Sequence, residues 1–417
     1  MNEIFRMTER AKAASVQMAT LPAAVKNRAL NAMATSLESG AGSILAANAQ
    51  DMKEARRSGT QGALLDRLLL NSKRIREMAQ SLREVARLPD SVGQVIQEWA
   101  RPNGLRIEKV RVPIGVIAIV YEARPNVTAD CAGLCIKSGN SVILRGGSEA
   151  FRSNRAIFES LQKGMVRAGL PKHAVNLVLT TDRRAVDQLL GLVGWVDLVI
   201  PRGGEELIRS VVAKARVPVI KQYKGICHTY VDEGADLKMA QKICYNAKVQ
   251  RPGVCNAMET LLVHRKAAPA FLPAMAAAYT QAGVELRGDA ATRQILKGFS
   301  VKPAKEGDWA TEYLDLILSI RVVGSLKEAI AHIRRYGSGH SDAIVTRASD
   351  RAEEFLRSVD SACVYVNAST RFTDGGQFGR GAEIGISTDK IHAGGPMGLE
   401  ELTTYKYLVH GTGQVRP

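Results

Sequence analysis

From Gly115 onward the chain lays down short, unbroken apolar runs: GVIAIVY at 115–121, SVILR at 141–145, NLVL at 176–179, VDLVIP at 196–201 and VPVI at 217–220. Each is long enough for one strand and too short for a self-sufficient helix. Stretches with helical spacing, such as 152–168, lie between them. A strand that is apolar on both faces must be covered on both faces, and helices alternating with such strands do this in a parallel sheet. The fold class is therefore α/β. A second set follows, with helices predicted at 236–248, 267–282 and 327–335 and strands at 259–263, 314–323, 343–346 and 364–367. The chain has 417 residues and is 46% apolar, enough for two cores.

The first hundred residues read as helical. After Ser72, apolar side chains fall at Ile75, Met78, Ala79, Leu82, Val85 and Ala86, a spacing of three and four that ends before Pro89. Between this region and the first sheet, WARPNGLRIEKVRV at 99–112 alternates apolar and basic residues around Asn103-Gly104, which predicts a β-hairpin. An exposed hairpin edge of this kind suits oligomerisation.

Lys and Arg number 57 against 41 Asp and Glu, a net charge of +16. That surplus raises nucleic acid as a partner, but aromatics are only 5% and the basic residues are strewn along helices, so platforms for stacking bases are scarce. Anionic metabolites are the expected partners, and nucleic acid is not. No apolar run is long enough to span a membrane, and the opening MNEIFRMTERAKAAS lacks the layout of a secretory signal, so a cytoplasmic protein is expected. Six cysteines stand at 131, 135, 227, 244, 255 and 363, without the paired spacings of a zinc site or a disulfide framework. No metal is expected. Cys131 and Cys135, four apart in a predicted helix, share one buried face.

Three stretches carry chemistry. In QRPGVCNAMETLLVH, 250–264, Pro252 and Gly253 break a helix and leave Cys255 on a turn at the mouth of a strand, where its thiolate could act as a nucleophile. Taken alone, Cys255 reads more simply as a small buried hydrophobe. In 121–150 a strand ends at Tyr121, a helix runs from about Thr128 to Lys137, and a second strand leads into Arg145-Gly146-Gly147-Ser148. Such strand ends hold ligands in α/β sheets, although the glycines could simply turn the chain. In IPRGGEELIR, 200–209, Gly203 and Gly204 open a helix whose amides could face a phosphate, a weak signal that is neither GxGxxG nor a Walker loop.

The order of YEARPNVT, ILRGGSEA, PRGGEELI, QRPGVCN, TEYLDLIL, VNASTRFTDGGQFG and PMGLEELTTYKY resembles the aldehyde dehydrogenase superfamily along essentially the whole chain, and within it the γ-glutamyl phosphate reductases. The resemblance implies two parallel-sheet α/β domains and a small β-hairpin oligomerisation element. It divides the chain into an NADP-binding domain (1–98 and 112–222), a catalytic domain (223–398) and an oligomerisation element (99–111 and 399–417). It implies NADPH-dependent reduction of L-glutamyl 5-phosphate to glutamate 5-semialdehyde and phosphate, the second step of proline synthesis. A homo-oligomer, dimer or tetramer, and channelling from glutamate 5-kinase are implied with it. The alternative is another acylating aldehyde dehydrogenase, for example one dependent on coenzyme A.

By position in the family pattern, Cys255 is the nucleophile and Asn126 the oxyanion amide, acting with the backbone N–H of Cys255. Hydrolytic members carry a glutamate that activates water; here Gln222 falls near its place, and an amide cannot serve as that base. Arg145, Gly146, Gly147 and Ser148 match the turn that holds the adenosine ribose. Ser148 stands there where a glutamate would repel a 2′-phosphate, which favours NADP over NAD. Gly203 and Gly204 are assigned to the cofactor, and Glu312 to the nicotinamide ribose. Arg251, Arg371 and Asp374 lie in family-matching loops and are the candidates for the substrate's charged groups, though such residues are more often surface or structural ion pairs. Gly394 stands where family members carry an arginine.

Overall fold

The computed structural model describes residues 3–416. Contacts divide the chain into two units. One runs to Lys221 and takes in Gly379–Gly385 and the stretch from Met397 onward; the other is Gln222–Phe378 with Ile386–Pro396. The change of unit at 221/222 falls one residue before the expected boundary. Residues 379–385 pack with the first unit and not with the expected catalytic range.

In the first unit the apolar runs form a four-stranded parallel sheet in the order Val175–Leu177, Ser141–Gly146, Val116–Tyr121, Leu198–Arg202. Every residue of Val116–Tyr121 is buried, as a strand covered on both faces requires. Successive strands lie on opposite sides of Val116–Tyr121, so the sheet has a topological switch point at that strand's carboxyl end. The predicted amphipathic helix is Ser72–Arg87, and its buried residues are the six named from spacing. The run VPVI at 217–220 is not a strand: only Val219 bridges to Val199. Pro218 has no N–H to give a ladder.

The hairpin forms as predicted. Val95–Ala100 pairs antiparallel with Arg106–Pro113, and Gly104 turns between them at φ +90°. A third strand, Thr403–His410, pairs with Arg106–Pro113 on its other side.

The second unit holds a seven-stranded parallel sheet in the order Val301–Pro303, Glu285–Gly288, Ile317–Val323, Met258–His264, Cys227–Val231, Ser341–Val345, Cys363–Val366. Met258–His264, at its centre, is buried throughout. The strand expected from 314 begins at Ile317, because Leu314 adopts φ +53° and breaks the extended backbone. Short strands at Glu285–Gly288 and Val301–Pro303 extend the sheet beyond the predicted set. Among the described residues no helix is long and apolar enough to cross a membrane.

Candidate active site

The helix Leu237–Val249 ends where Gln250, Arg251 and Pro252 begin, and the chain turns through Cys255 before entering Met258–His264. Of the six cysteines, Cys255 alone is not buried. Cys131 and Cys135 lie in the core of the first unit, where burial pushes their thiols up. An accessible thiol on a turn is the arrangement a nucleophile needs.

Three segments converge on this turn, two of them loops at the amino ends of the strands that flank Met258–His264. The loop before Cys227–Val231 brings Gly225 against the Cys255 backbone: a Cβ on Gly225 would lie 1.9 Å from the Cys255 carbonyl oxygen and 2.5 Å from its Cα. Only glycine permits that approach. Cys227 Sγ donates to the same carbonyl at 3.2 Å. The loop before Ile317–Val323 brings Glu312, whose Oε1 accepts the Gly225 N–H at 2.9 Å. Gly225 is therefore pinned between Glu312 and the Cys255 turn. We expect Gly225→Ala to displace Cys255 and lower kcat by about 10²-fold, since misplacement by about 1 Å costs that much; steady-state kinetics beside circular dichroism of the variant check this.

The third partner is the segment after Cys363–Val366. Asn256 Nδ2 donates to the Thr373 carbonyl at 2.8 Å and to the Arg371 carbonyl at 3.4 Å, while Thr370 Oγ1 donates to the Asn256 carbonyl at 2.8 Å. These bonds set Arg371 across from the residue next to Cys255. Arg371 is half-buried and its Nε donates to Gln250 Oε1 at 2.8 Å. Burial, then the charge of Arg251, pull the Arg371 guanidinium below its ordinary value, against the pull of Asp374, Cys255 and Cys227. The charges of Arg251, Asp374 and Cys255 all act on Arg371. Asp374 Oδ1 accepts the Gly376 and Gln377 amides at 3.0 and 3.1 Å.

Under the turn lies a pair that sequence reading missed. Lys248 Nζ and Glu259 Oε2 meet at 2.6 Å, and both side chains are fully buried. Glu259 Oε1 also accepts the N–H of Leu314, two residues beyond Glu312. Burial pushes the Glu259 carboxyl up to about 7 against the pull of Lys248, and burial pulls Lys248 down. A lysine and a glutamate eleven apart, one ending a helix and one inside an apolar strand, were the available signal.

In the first unit, Asn126 begins the helix Asn126–Lys137, two residues earlier than expected, and its exposed amide donates to Asp130 Oδ2 at 3.0 Å. Arg145 is 9% exposed; its Nη2 donates to the Thr181 carbonyl at 3.1 Å, while its buried Nε has no partner. Gly146 ends the strand and Ser148, exposed, opens a short 3-10 turn. Gly147 lies against a carboxylate that the sequence reading passed over. Glu149 Oε1 would lie 2.1 Å from a Cβ at that position, and it accepts the Ala123 N–H at 2.5 Å. The pair Gly203-Gly204 differs from expectation: the Gly204 N–H at the helix start donates to Glu122 Oε2 at 2.8 Å, so a side-chain carboxylate already occupies that amide.

A partly exposed cysteine on a turn of one parallel-sheet unit, together with a second α/β unit that carries Arg145 and a glycine turn at the carboxyl end of a strand, is the arrangement to set beside known proteins. The aldehyde dehydrogenase family profile matches residues 2–294, and the chain belongs to that family. Among its curated relatives, γ-glutamyl phosphate reductase of Moorella thermoacetica is 59% identical over 99% of both chains. The crystal structure of γ-glutamyl phosphate reductase from Thermotoga maritima superposes with a TM-score of 0.97 at 48% identity, over the whole of both chains. An engineered glycolyl-CoA reductase with bound NADP+, 13% identical over 97% of this chain and 96% of its own, shares the fold at a TM-score of 0.70.

Proposed function

We propose that the chain reduces L-glutamyl 5-phosphate to L-glutamate 5-semialdehyde and phosphate through a thioester on Cys255, in the proline-forming route from glutamate. The observation that carries this reading is the partly exposed thiol of Cys255, on a turn pressed by Gly225 and tied through Asn256 to Thr370 and Thr373. The names of the full-length relatives supply the substrate.

The Cys255 thiolate attacks the γ-carbonyl carbon, a C–S bond forms and the carbonyl electron pair moves to oxygen. When the carbonyl reforms, the C–O bond to phosphate breaks and phosphate leaves. The thioester carbon then takes up a hydride, the chemistry that NADPH supplies when bound. The C–S bond of the resulting thiohemiacetal breaks, releasing the aldehyde and restoring the thiolate. Negative charge gathers on the carbonyl oxygen at both stages, so fixed donors matter twice. The Cys255 N–H is one, and Asn126, whose amide has a second N–H beyond the one given to Asp130, is the donor that the family pattern assigns. Gln222, an amide near the place of the hydrolytic base, leaves water without an activator.

For the cofactor, the partnerless Nε of buried Arg145 and the hydroxyl of exposed Ser148 suit a 2′-phosphate; Glu122 on the Gly204 amide does not suit a phosphate there. Arg145 and Ser148 would hold the adenosine end of NADP(H). We expect NADPH to be preferred to NADH, and Arg145→Ala to raise the KM for NADPH about tenfold or more with little change for NADH, the range for a lost charge-assisted hydrogen bond. A clear preference of the unmodified protein for NADH contradicts this assignment. The homo-oligomer contact is assigned to the edge strand Thr403–His410, where Tyr405, Tyr407 and Val409 are exposed on one face.

Comparing acyl acceptors in the oxidative direction tests the function. Reduction of NADP by glutamate 5-semialdehyde should require phosphate and ignore coenzyme A. Turnover with coenzyme A alone would make this an acyl-CoA reductase.

A further inference from the structure

A closed circuit of side chains runs round the peptide that follows Cys255. Cys227, the first residue of its strand, donates Sγ–H to the Cys255 carbonyl at 3.2 Å. His340 Nδ1 lies 3.6 Å from that sulfur and 2.8 Å from Ser341 Oγ, which in turn lies 2.6 Å from Thr373 Oγ1. Thr373 closes the circuit, because its carbonyl accepts the side-chain amide of Asn256 at 2.8 Å and Asn256 follows Cys255 in the chain. The Tyr365 hydroxyl anchors the Thr373 hydroxyl at 2.6 Å. Cys227, His340, Ser341 and Thr373 are all fully buried. The ladder with Met258–His264 slips in register between Cys227 and His228, an irregularity of the kind that re-aims a side chain.

A carbonyl on a turn has no strand ladder to hold it, and rotation about its Cα–C bond changes where the cysteine side chain points relative to the strand that follows. Gly225 presses on this carbonyl and Cys227 bonds to it. Burial pushes the Cys227 thiol well up, so it keeps its proton at neutral pH, remains a donor and does not compete as a nucleophile. We propose that Cys227 is a positioning residue for Cys255: its thiol holds the Cys255 carbonyl, His340, Ser341 and Thr373 hold the thiol, and the circuit fixes the backbone rotation that aims the attacking sulfur at the acyl carbon. This role rests on the thioester mechanism proposed above, in which a small misplacement of the nucleophile slows the chemical step more than it weakens binding.

The test is NADPH oxidation with L-glutamyl 5-phosphate in Cys227→Ala and Cys227→Ser. Cys227→Ala should lower kcat about tenfold, the scale for a buried acceptor that loses its donor, with the KM for both substrates nearly unchanged. Cys227→Ser, close to alanine in volume but with an O–H to donate, should recover most of that loss. Alkylation of Cys255 by iodoacetamide, followed by mass spectrometry, should keep its pH profile in Cys227→Ala, since the group removed is neutral. An unchanged kcat with a lowered unfolding temperature would make Cys227 a packing residue. A serine variant as slow as the alanine variant would remove the hydrogen bond from the account, and a displaced alkylation profile would mean that Cys227 acts on ionisation. Each of these overturns the proposal. If Cys227→Ala does not fold, Thr373→Val decides: it keeps the side-chain shape and opens the circuit at the hydroxyl, so kcat should fall while Thr373→Ser stays near the unmodified rate, and equal rates in the two overturn the circuit. Absence of NADPH oxidation in the unmodified protein is a different failure, that of the reductase function, and takes the proposal with it.

Discussion

Cys255→Ala should lose acyl-phosphate reduction by about 10⁴-fold or more, the scale on which removal of a covalent nucleophile acts, and should remain folded. The loss follows from chemistry: without sulfur there is no thioester, and hydride must be added to an acyl phosphate that has not been activated. The fold is expected to survive because Cys255 lies on a turn outside the core and the change only removes an atom. Cys255→Ser separates nucleophilicity from shape, since a hydroxyl fills the place of the thiol but ionises far less readily; it should recover little activity. Oxidation of NADPH in the presence of L-glutamyl 5-phosphate reads both variants, with circular dichroism as the control. Undiminished turnover in Cys255→Ala would remove that residue from the mechanism.

Lys248→Met should destabilise the second unit by about 3–5 kcal/mol, because it leaves Glu259 in the core without its cation. Replacing the ammonium by a thioether of similar length keeps the volume, so the loss reports the missing charge. The pair is 2.6 Å apart with neither side chain exposed. The effect carries a pH signature. The Glu259 carboxyl is raised from its ordinary value near 4.5 to about 7. A raised acid favours the folded chain most fully below pH 4.5, and that contribution fades as pH rises through 7. Loss of Lys248 removes the charge that holds the value down, so the fading extends to higher pH and the variant's deficit should be larger at pH 8 than at pH 6. Thermal unfolding at the two pH values measures this. A deficit that does not change with pH would mean that Glu259 does not titrate there. Because Glu259 also holds Leu314, beside Glu312, activity is expected to fall before the unit melts.

Much of this was readable in the chain. Continuous apolar runs such as 116–121 and 141–144 announce buried strands because nothing else so short needs both faces apolar, and Asn103-Gly104 announces its hairpin by turn chemistry. Cys255 could be placed on a turn from Pro252 and Gly253 alone. Its role could not, since a thiol has the same local pattern whether it reacts or packs; the resemblance to a family supplied that. What sequence left out was long-range: that Gly225 must be glycine because the Cys255 backbone presses on it, and that Lys248 finds Glu259 across the core. It also missed that Glu122 takes the Gly204 amide reserved for a phosphate. Each depends on side chains brought together from separate segments, which no local window contains. The late start of the strand at Ile317 has the same character, because Leu314 takes a left-handed backbone where its N–H meets Glu259.

The central claim is a thioester on Cys255 that passes its acyl group to hydride or phosphate and not to water. It is tested most directly by mass spectrometry of protein mixed with glutamate 5-semialdehyde and NADP without phosphate, then quenched in acid. The account predicts one glutamyl acyl group on the peptide that contains Cys255, persisting until phosphate is added and then discharged. No adduct, an adduct on another residue, or one that water removes as fast as phosphate does would contradict it.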